Sequence, residues 1–255
     1  MRMLVSAVLV AGLAAPAAAQ TDFQWRGLVQ AGQSLEIRGV NGEIRAAAGG
    51  GDAQVTATKT ARLSDPNEVR IEVVPHAGGV TICAVYPSPA GKAPNTCEPG
   101  GGGNNSVQNN DTQVHFVVSV PPGVTFVGRT VNGEVDAEGL QGDADVHTVN
   151  GSVKLTTTGR GLANTVNGSI FVTMGRADFI GDASFKTVNG GVTLKVPATF
   201  GAELSANTVN GDIRSDFPVS VTQMDRRSIH GVIGAGGPHV TISTVNGSIT
   251  LQKSE

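Results

Sequence analysis

The sequence has few aromatic residues and few charges. Aromatic residues make up 4% of the chain and charged residues 15%. A core must therefore be built from Val, Ile, Leu, Ala and Thr, which favours thin, regular β packing over a large globular core. The formal net charge is −3 and the sequence has no run of Lys or Arg. It thus lacks the basic footprint expected of a protein that binds nucleic acid or an anionic membrane surface.

One long apolar run lies at the N-terminus, within residues 1–20. Arg2 precedes the apolar residues 4–15, and small residues follow, ending in Ala17, Ala18 and Ala19. This order is typical of a cleavable secretory signal, and the run is too short for a spanning helix. We expect export, cleavage near Gln20 or Thr21, and no integral membrane segment in the mature chain. A buried N-terminal helix is the alternative.

Only two cysteines are present, Cys83 and Cys97. In an exported chain the expected state is a disulfide, which would stabilise the fold by about 3 kcal/mol for a loop of this length. The alternatives are two free thiols or a metal pair, and two Cys without a matching pair of His make a poor zinc site.

An internal repeat dominates the C-terminal half. The motif Thr-Val-Asn-Gly, followed by a variable residue and then Val or Ile, recurs at spacings of about 20 residues, and such a period indicates one supersecondary unit per repeat. The pairs at its centre, with an early relative at residue 41 and a degenerate copy at residue 230, are Asn41-Gly42, Asn132-Gly133, Asn150-Gly151, Asn167-Gly168, Asn189-Gly190, Asn210-Gly211, His230-Gly231 and Asn246-Gly247.

Alternating apolar residues on both sides of each pair predict two short strands per repeat, as in residues 144–149 and 152–156. Asn-Gly can form a hairpin turn or the corner of a coil, because both residues tolerate positive φ. We favour the corner, since a hairpin does not require Thr-Val before the pair and Ile or Val after it. The predicted fold is an all-β, parallel β-helix-like solenoid with coils about 4.8 Å apart. Stacked Val, Thr and Ile or Val columns, including Val166 and Ile170, would form its core.

The chain before the repeats is less regular. Residues 21–122 predict an N-terminal β segment with a disulfide-tied excursion and a Gly/Asn-rich loop at residues 99–110, which we expect to be mobile. Residues 123–255 predict the regular coils. Both parts are assigned to one solenoid domain, because the first Val-Asn-Gly copy already lies at residues 40–42.

These residues resemble a bacterial β-strand-repeat family of candidate adhesins, domain of unknown function 4097. The similarity lies in the order of elements: an early strand and Gly turn at residues 35–42, a Val-x-Val-Pro strand at residues 118–121, then serial Thr-Val-Asn-Gly-x-Ile units. The resemblance implies a β-solenoid-like fold and an envelope or surface location. It supplies no catalytic residues.

The sequence contains one dense acidic patch, formed by Asp136, Glu138, Asp143 and Asp145. We interpret it as a solvated acidic corner; binding of a hard cation and glycan cleavage are the alternatives. The histidines lack metal-ligand spacing. We predict no catalytic, cofactor or metal residues.

The sequence thus predicts an exported, non-enzymatic protein with a structural or adhesive role in the periplasm, at the cell surface or in the medium. Candidate partners are an envelope protein, a surface glycan or a second copy of the chain. The alternatives are a polysaccharide-acting β-helix enzyme and a periplasmic accessory or sensor module.

Overall fold

The computed structural model describes residues 23–254, so the predicted signal segment lies outside the described residues. Within that range the chain forms two large β-sheets and two short 3-10 helices, Pro66–Glu68 and Pro99–Gly101. The all-β solenoid predicted from the repeat is confirmed.

The ten-stranded sheet contains the strand that follows each Asn-Gly corner. Its strands, in spatial order across the described residues, are β1 (Phe23–Gly27), β4 (Ala53–Thr60), β7 (Gln113–Val120), β3 (Ile44–Ala48), β9 (Val135–Leu140), β11 (Val153–Thr157), β13 (Ile170–Met174), β15 (Val192–Val196), β21 (Ile249–Lys253) and β17 (Ile213–Ser215).

The eleven-stranded sheet contains the strand that precedes each corner. Its strands, again in spatial order within the described range, are β18 (Val219–Met224), β19 (Ser228–Ile233), β16 (Ala202–Asn210), β20 (His239–Asn246), β14 (Ala183–Lys186), β12 (Gly161–Asn164), β10 (Ala144–His147), β8 (Thr125–Arg129), β2 (Ser34–Arg38), β6 (Gly79–Val85) and β5 (Arg70–His76).

Each coil passes from the eleven-stranded sheet, around an Asn-Gly corner, into the ten-stranded sheet. Neighbouring coils pair in parallel, as β10 does with β12 and β11 with β13. The early copy is part of the same stack, because β2 pairs with β8 and β3 pairs with β9.

The coils do not stack in chain order at the C-terminal end. Strand β20 lies between β14 and β16, and β21 lies between β15 and β17. The last repeat of the sequence is therefore an inner coil, and the repeat before it forms the end of the stack. The sheets extend beyond the coils at both ends. At one end β7 pairs in parallel with β3, and β4 and β1 follow in antiparallel pairing. At the other end β19 and β18 are added in antiparallel pairing.

The core is a narrow layer between the sheets. Side chains alternate along each strand, so that Ile170 and Val172 of β13 are buried while Phe171 between them points outward. Residues at equivalent positions stack from coil to coil. One such column in the ten-stranded sheet consists of Ile44, Val135, Val153, Ile170, Val192 and Ile249.

The Gly/Asn-rich loop makes side-chain hydrogen bonds to the end of β6 and the residues after it. The Asn95 side chain donates hydrogen bonds to the carbonyls of Tyr86, at 3.0 Å, and Ser106, at 2.8 Å. The Asn105 side chain donates to the carbonyl of Ala84 at 2.8 Å. Because these amides satisfy backbone groups directly, the loop is fixed to β6 without burying an apolar core of its own.

Candidate functional site

The Asn side chains of the corners form one continuous hydrogen-bonded ladder. Each Nδ2 donates to the Oδ1 of the Asn in the adjacent coil at 2.8 Å, in the order Asn210, Asn246, Asn189, Asn167, Asn150, Asn132, Asn41. The ladder therefore has a direction, and it follows the spatial order of the coils rather than their order in the sequence.

The Thr that begins each repeat is buried, and its hydroxyl is bonded to the neighbouring coil. Thr165 Oγ1 donates to the carbonyl of Gly151, and Thr187 Oγ1 donates to the carbonyl of Gly168, both at 2.8 Å. A hydroxyl at this position pairs a backbone carbonyl without leaving a polar group unsatisfied inside the corner.

Glycine is needed at the corners for a reason other than the positive φ that the sequence predicts. Among them only Gly42 and Gly190 have positive φ. Instead, a Cβ built on Gly151 or Gly168 would lie 2.0 Å from the carbonyl oxygen of the preceding corner's Gly. Glycine is required chiefly because successive corners approach too closely for any side chain.

The Val of each repeat is not a core residue, which corrects the prediction for Val166. Val166 is 38% exposed, whereas Ile170 is fully buried. The chain turns between the two residues, so they do not share a face. The outward valines form a stripe beside the Asn ladder and consist of Val131, Val149, Val166, Val188, Val209 and Val245.

His230 and Gly231 do not form a corner, so that part of the predicted corner set is wrong. Both lie inside β19, where His230 pairs with Ser205 of β16 in an antiparallel ladder. Residues 228–233 match the repeat in local composition, but they form one continuous strand. The preceding strand β18 turns back through residues 225–227, so the copy adds an antiparallel end strand and no new coil.

Cys83 and Cys97 form a disulfide, as expected for an oxidising compartment. Cys83 lies on β6, and the bond ties the segment between Cys83 and Cys97 back to that strand. Arg38 of β2 also donates to the carbonyls of Glu98 and Gly102 in this excursion.

The structure divides the predicted acidic patch between the two sheets. Asp136 and Glu138 lie on β9 and face Lys154 of β11. Asp143 precedes β10 in the other sheet and faces Arg160, with 3.4 Å between Oδ2 and Nε. Burial raises the pKa of Asp136 above its usual value, although the Lys154 ammonium opposes the shift.

A charged network on the eleven-stranded sheet was missed by the sequence reasoning. Glu36 is 3% exposed and lies 3.3 Å from Arg129, which in turn contacts Asp145 at 3.2 Å. Asp145 Oδ1 is 2.6 Å from His147 Nε2, and His147 Nδ1 is 3.4 Å from the Asn164 amide. These residues occupy neighbouring coils, so their contact depends on the parallel register and leaves no local signal in the sequence.

The same network sets the titration of Asp145. Burial alone would raise the pKa of this carboxyl. The hydrogen bond from His147 and the positive charges of His147, Arg129 and Arg160 outweigh burial, so the pKa lies below its usual value. At the other end of the network, Glu36 accepts a hydrogen bond from the Thr81 hydroxyl at 3.0 Å, and Thr81 Oγ1 lies 3.3 Å from His76 Nε2.

The outer face of the ten-stranded sheet contains a second feature that the sequence reasoning missed. Phe171 of β13 is 51% exposed there, between Lys154 of β11 and Thr193 of β15. Thr156, Thr173 and Lys195 lie beside it, and together the six residues line a shallow depression of about 260 Å³. The signal in the sequence was a Phe at an outward strand position that is polar in the neighbouring repeats.

Two further structural findings bear on function. Among residues 23–254, no group of three or more His, Cys, Asp or Glu side chains is placed to hold a metal ion. In the same part of the chain, no helix has the length and apolar content needed to cross a bilayer.

Two similar solved structures are a candidate cell adhesion protein from Clostridium sporogenes and a candidate adhesin from Bacteroides fragilis. The first shares 11% identity at a TM-score of 0.46, covering 91% of this chain and 99% of that one. The second shares 12% identity at a TM-score of 0.29, covering 91% and 96%. No curated protein matches the sequence.

The family comparison gives a direct assignment. The Toastrack DUF4097 family model matches residues 125–252, which is half of the 255-residue chain. The matched range begins at β8 and ends within β21, and so contains the six complete Thr-Val-Asn-Gly corners. The chain belongs to the Toastrack DUF4097 family.

Proposed function

We propose that this protein is an exported, non-enzymatic β-solenoid that provides a structural or adhesive surface at the cell envelope. The observation that carries the proposal is the difference between inward and outward positions of the strands. Inward residues form continuous columns, while outward positions of both sheets hold unrelated side chains such as Phe171, Lys195 and Arg129. A stack of this kind can change its surface without changing its core.

The proposal favours binding over catalysis. The carboxylates of the acidic patch are distributed over two sheets, and each lies near a cation on a neighbouring coil. Such pairs stabilise the register of the coils, and they neutralise groups that glycan cleavage would need as a free acid and base. An envelope protein, a surface glycan or a second copy of the chain are the partners considered.

Localisation and saturable binding test the proposal together. Cell fractionation should place a chain lacking residues 1–20 outside the cytoplasm. The purified chain beginning at Thr21, labelled and mixed with envelope fragments of the producing cell, should bind saturably, and unlabelled chain should compete. Recovery of an uncleaved cytoplasmic chain, or binding that does not saturate, would contradict the proposal.

A separate assay addresses the enzymatic alternative. The same protein is incubated with a panel of envelope and extracellular polysaccharides, and new reducing ends are counted. We expect the count to equal that of a boiled sample. An increase that Asp136→Asn abolishes would overturn the non-enzymatic assignment.

A further inference from the structure

The outer face of the ten-stranded sheet presents a two-by-three array of side chains around Phe171. In the first row, the strand register places Lys154, Phe171 and Thr193 side by side. The second row, two residues further along the same strands, consists of Thr156, Thr173 and Lys195. Because neighbouring strands are about 4.8 Å apart, each row extends over about 10 Å.

The two ammonium groups occupy opposite corners of this array. Two strand spacings and two residue rises separate the Cα atoms of Lys154 and Lys195 by about 12 Å. Lys154 is already paired with Glu138 and lies 3.9 Å from Asp136. Among the described residues, the ammonium group of Lys195 has neither an ion-pair nor a hydrogen-bond partner. One cation of the array is therefore free to meet an anion from solution.

The surface around the array is polar toward the end of the stack, where the first row ends at Arg214 and Asp216 lies beside the second row. Thr250 and Gln252 on β21 and Arg214 on β17 continue the outward rows beyond Thr193 and Lys195. Toward the other end, Asp136 and Glu138 follow Lys154. An extended anionic ligand would thus lie across the strands from Phe171 toward Arg214, and the two carboxylates would oppose its extension past Lys154.

We propose that this face binds a carboxylated polysaccharide. The face of an aromatic ring is electron-rich, so the Phe171 ring can stack against the C–H groups of a pyranose. The hydroxyls of Thr156, Thr173 and Thr193 can both donate to and accept from sugar hydroxyls. Lys195 would meet a carboxylate of the polymer, while Lys154 stays paired with Glu138. This inference rests on the proposed binding function and adds its site and ligand class.

The test measures binding of three acidic polysaccharides, polygalacturonate, alginate and hyaluronan, to the chain beginning at Thr21. Methyl-esterified polygalacturonate has the same backbone without the charge and serves as the ligand control. The protein variants are Phe171→Ala and Lys195→Gln. The control variant is Val117→Ala, because Val117 is a 57% exposed apolar residue on the same outer face, in β7. Since the altered side chains are exposed, unchanged melting temperatures are expected.

We expect at least one acidic polysaccharide to bind the wild type, with weaker binding at higher salt. Phe171→Ala should weaken it about tenfold, and Lys195→Gln about threefold. Val117→Ala should bind as the wild type does, and the esterified polymer should bind less well than its acidic form.

Three results would overturn the inference: no binding of any of the three polymers, equal binding by Phe171→Ala, or equal binding of the esterified form. Repeating the envelope-fragment assay with the same variants separates the two proposals. If the wild type binds envelope but none of the acidic polymers, the glycan assignment fails and the adhesive role stands. If it binds neither, both proposals fail. Envelope binding that is lost on treatment with a protease would indicate a protein partner instead.

Discussion

The four signature residues of each repeat have four different roles. Thr donates to the backbone of the neighbouring coil, Val points outward, Asn bonds to the next Asn, and Gly allows the coils to approach. The contacts of Thr, Asn and Gly are between coils, so the motif is a pattern of stacking interactions rather than a local turn signal.

Substitutions at Val166 and Ile170 distinguish the exposed stripe from the core. Ile170→Asp would bury a carboxylate among apolar side chains and should unfold the coils or cost more than about 4 kcal/mol in the free energy of unfolding. Val166→Asp should cost less than about 1 kcal/mol, because the side chain can reach water. Urea unfolding followed by circular dichroism measures both. Equal losses in the two variants would mean that the valine stripe is buried in solution.

Gly168→Ala tests the close approach of the corners. The new Cβ would collide with the carbonyl oxygen of Gly151, at 2.0 Å. Relief of the clash requires neighbouring coils to move apart, so we expect a loss of about 1–3 kcal/mol in the free energy of unfolding. The matched control is Gly50→Ala, since a Cβ at Gly50 meets no atom within 4 Å and its φ is not positive. A Gly168→Ala variant as stable as the control would contradict the steric explanation.

At the scale of elements, the irregular N-terminal strands are held by loop contacts. Asp111 precedes β7 and accepts hydrogen bonds from the backbone N–H groups of Arg62, at 3.0 Å, Leu63, at 3.1 Å, and Ser64, at 2.9 Å. These bonds, first of all those to Ser64, lower the pKa of Asp111 from 3.8 to about 2. The carboxylate thereby joins the segment after β4 to the start of β7.

The stability that Asp111 contributes depends on pH in a defined direction. The folded pKa lies below the unfolded value, so the contribution is complete above about pH 4 and is lost as the pH falls toward about 2. Asp111→Asn should be less stable than the wild type at pH 7, and the gap between them should close between about pH 4 and pH 2. Urea midpoints at several pH values measure it. A gap that stays constant down to pH 2 would show that the carboxylate charge is not involved.

At the scale of the whole molecule, the last repeat of the sequence lies inside the stack, so a C-terminal truncation removes an inner coil. A variant ending at residue 235 lacks β20 and β21, which lie between coils in the stack. Strand β16 would lose its parallel partner and β17 would lose β21. We expect residues 202–210 to lose protection in hydrogen exchange, although they remain in the chain. The control is a variant ending at residue 253, in which both strands are complete. Strand β16 keeps its antiparallel partner β19, so the amides to follow are those that donate to β20. Retained protection of these amides would mean that β16 pairs with β14 directly.

The sequence by itself determined the strands, the corners and the solenoid class. Residues 144–149 and 152–156 alternate with a period of two, and the recurrence of Thr-Val-Asn-Gly at a constant phase indicates stacking. Such local and periodic signals do not depend on which coils become neighbours. The sequence also correctly indicated the disulfide, because Cys83 and Cys97 have no matching pair of His for a zinc site.

Only the tertiary structure decided the order of the coils, the faces of the corner residues and the surface sites. The sequence does not show that Asn246 would lie between Asn189 and Asn210, because all seven Asn-Gly corners offer the same side-chain donor and acceptor. The sequence placed Val166 in the core because the residue is apolar, but an apolar side chain at a bend can point either inward or outward. The surroundings of Phe171 and the chain of contacts from Glu36 to His147 arise from residues in different coils. Register between parallel strands brings them together, and register is fixed by the whole stack.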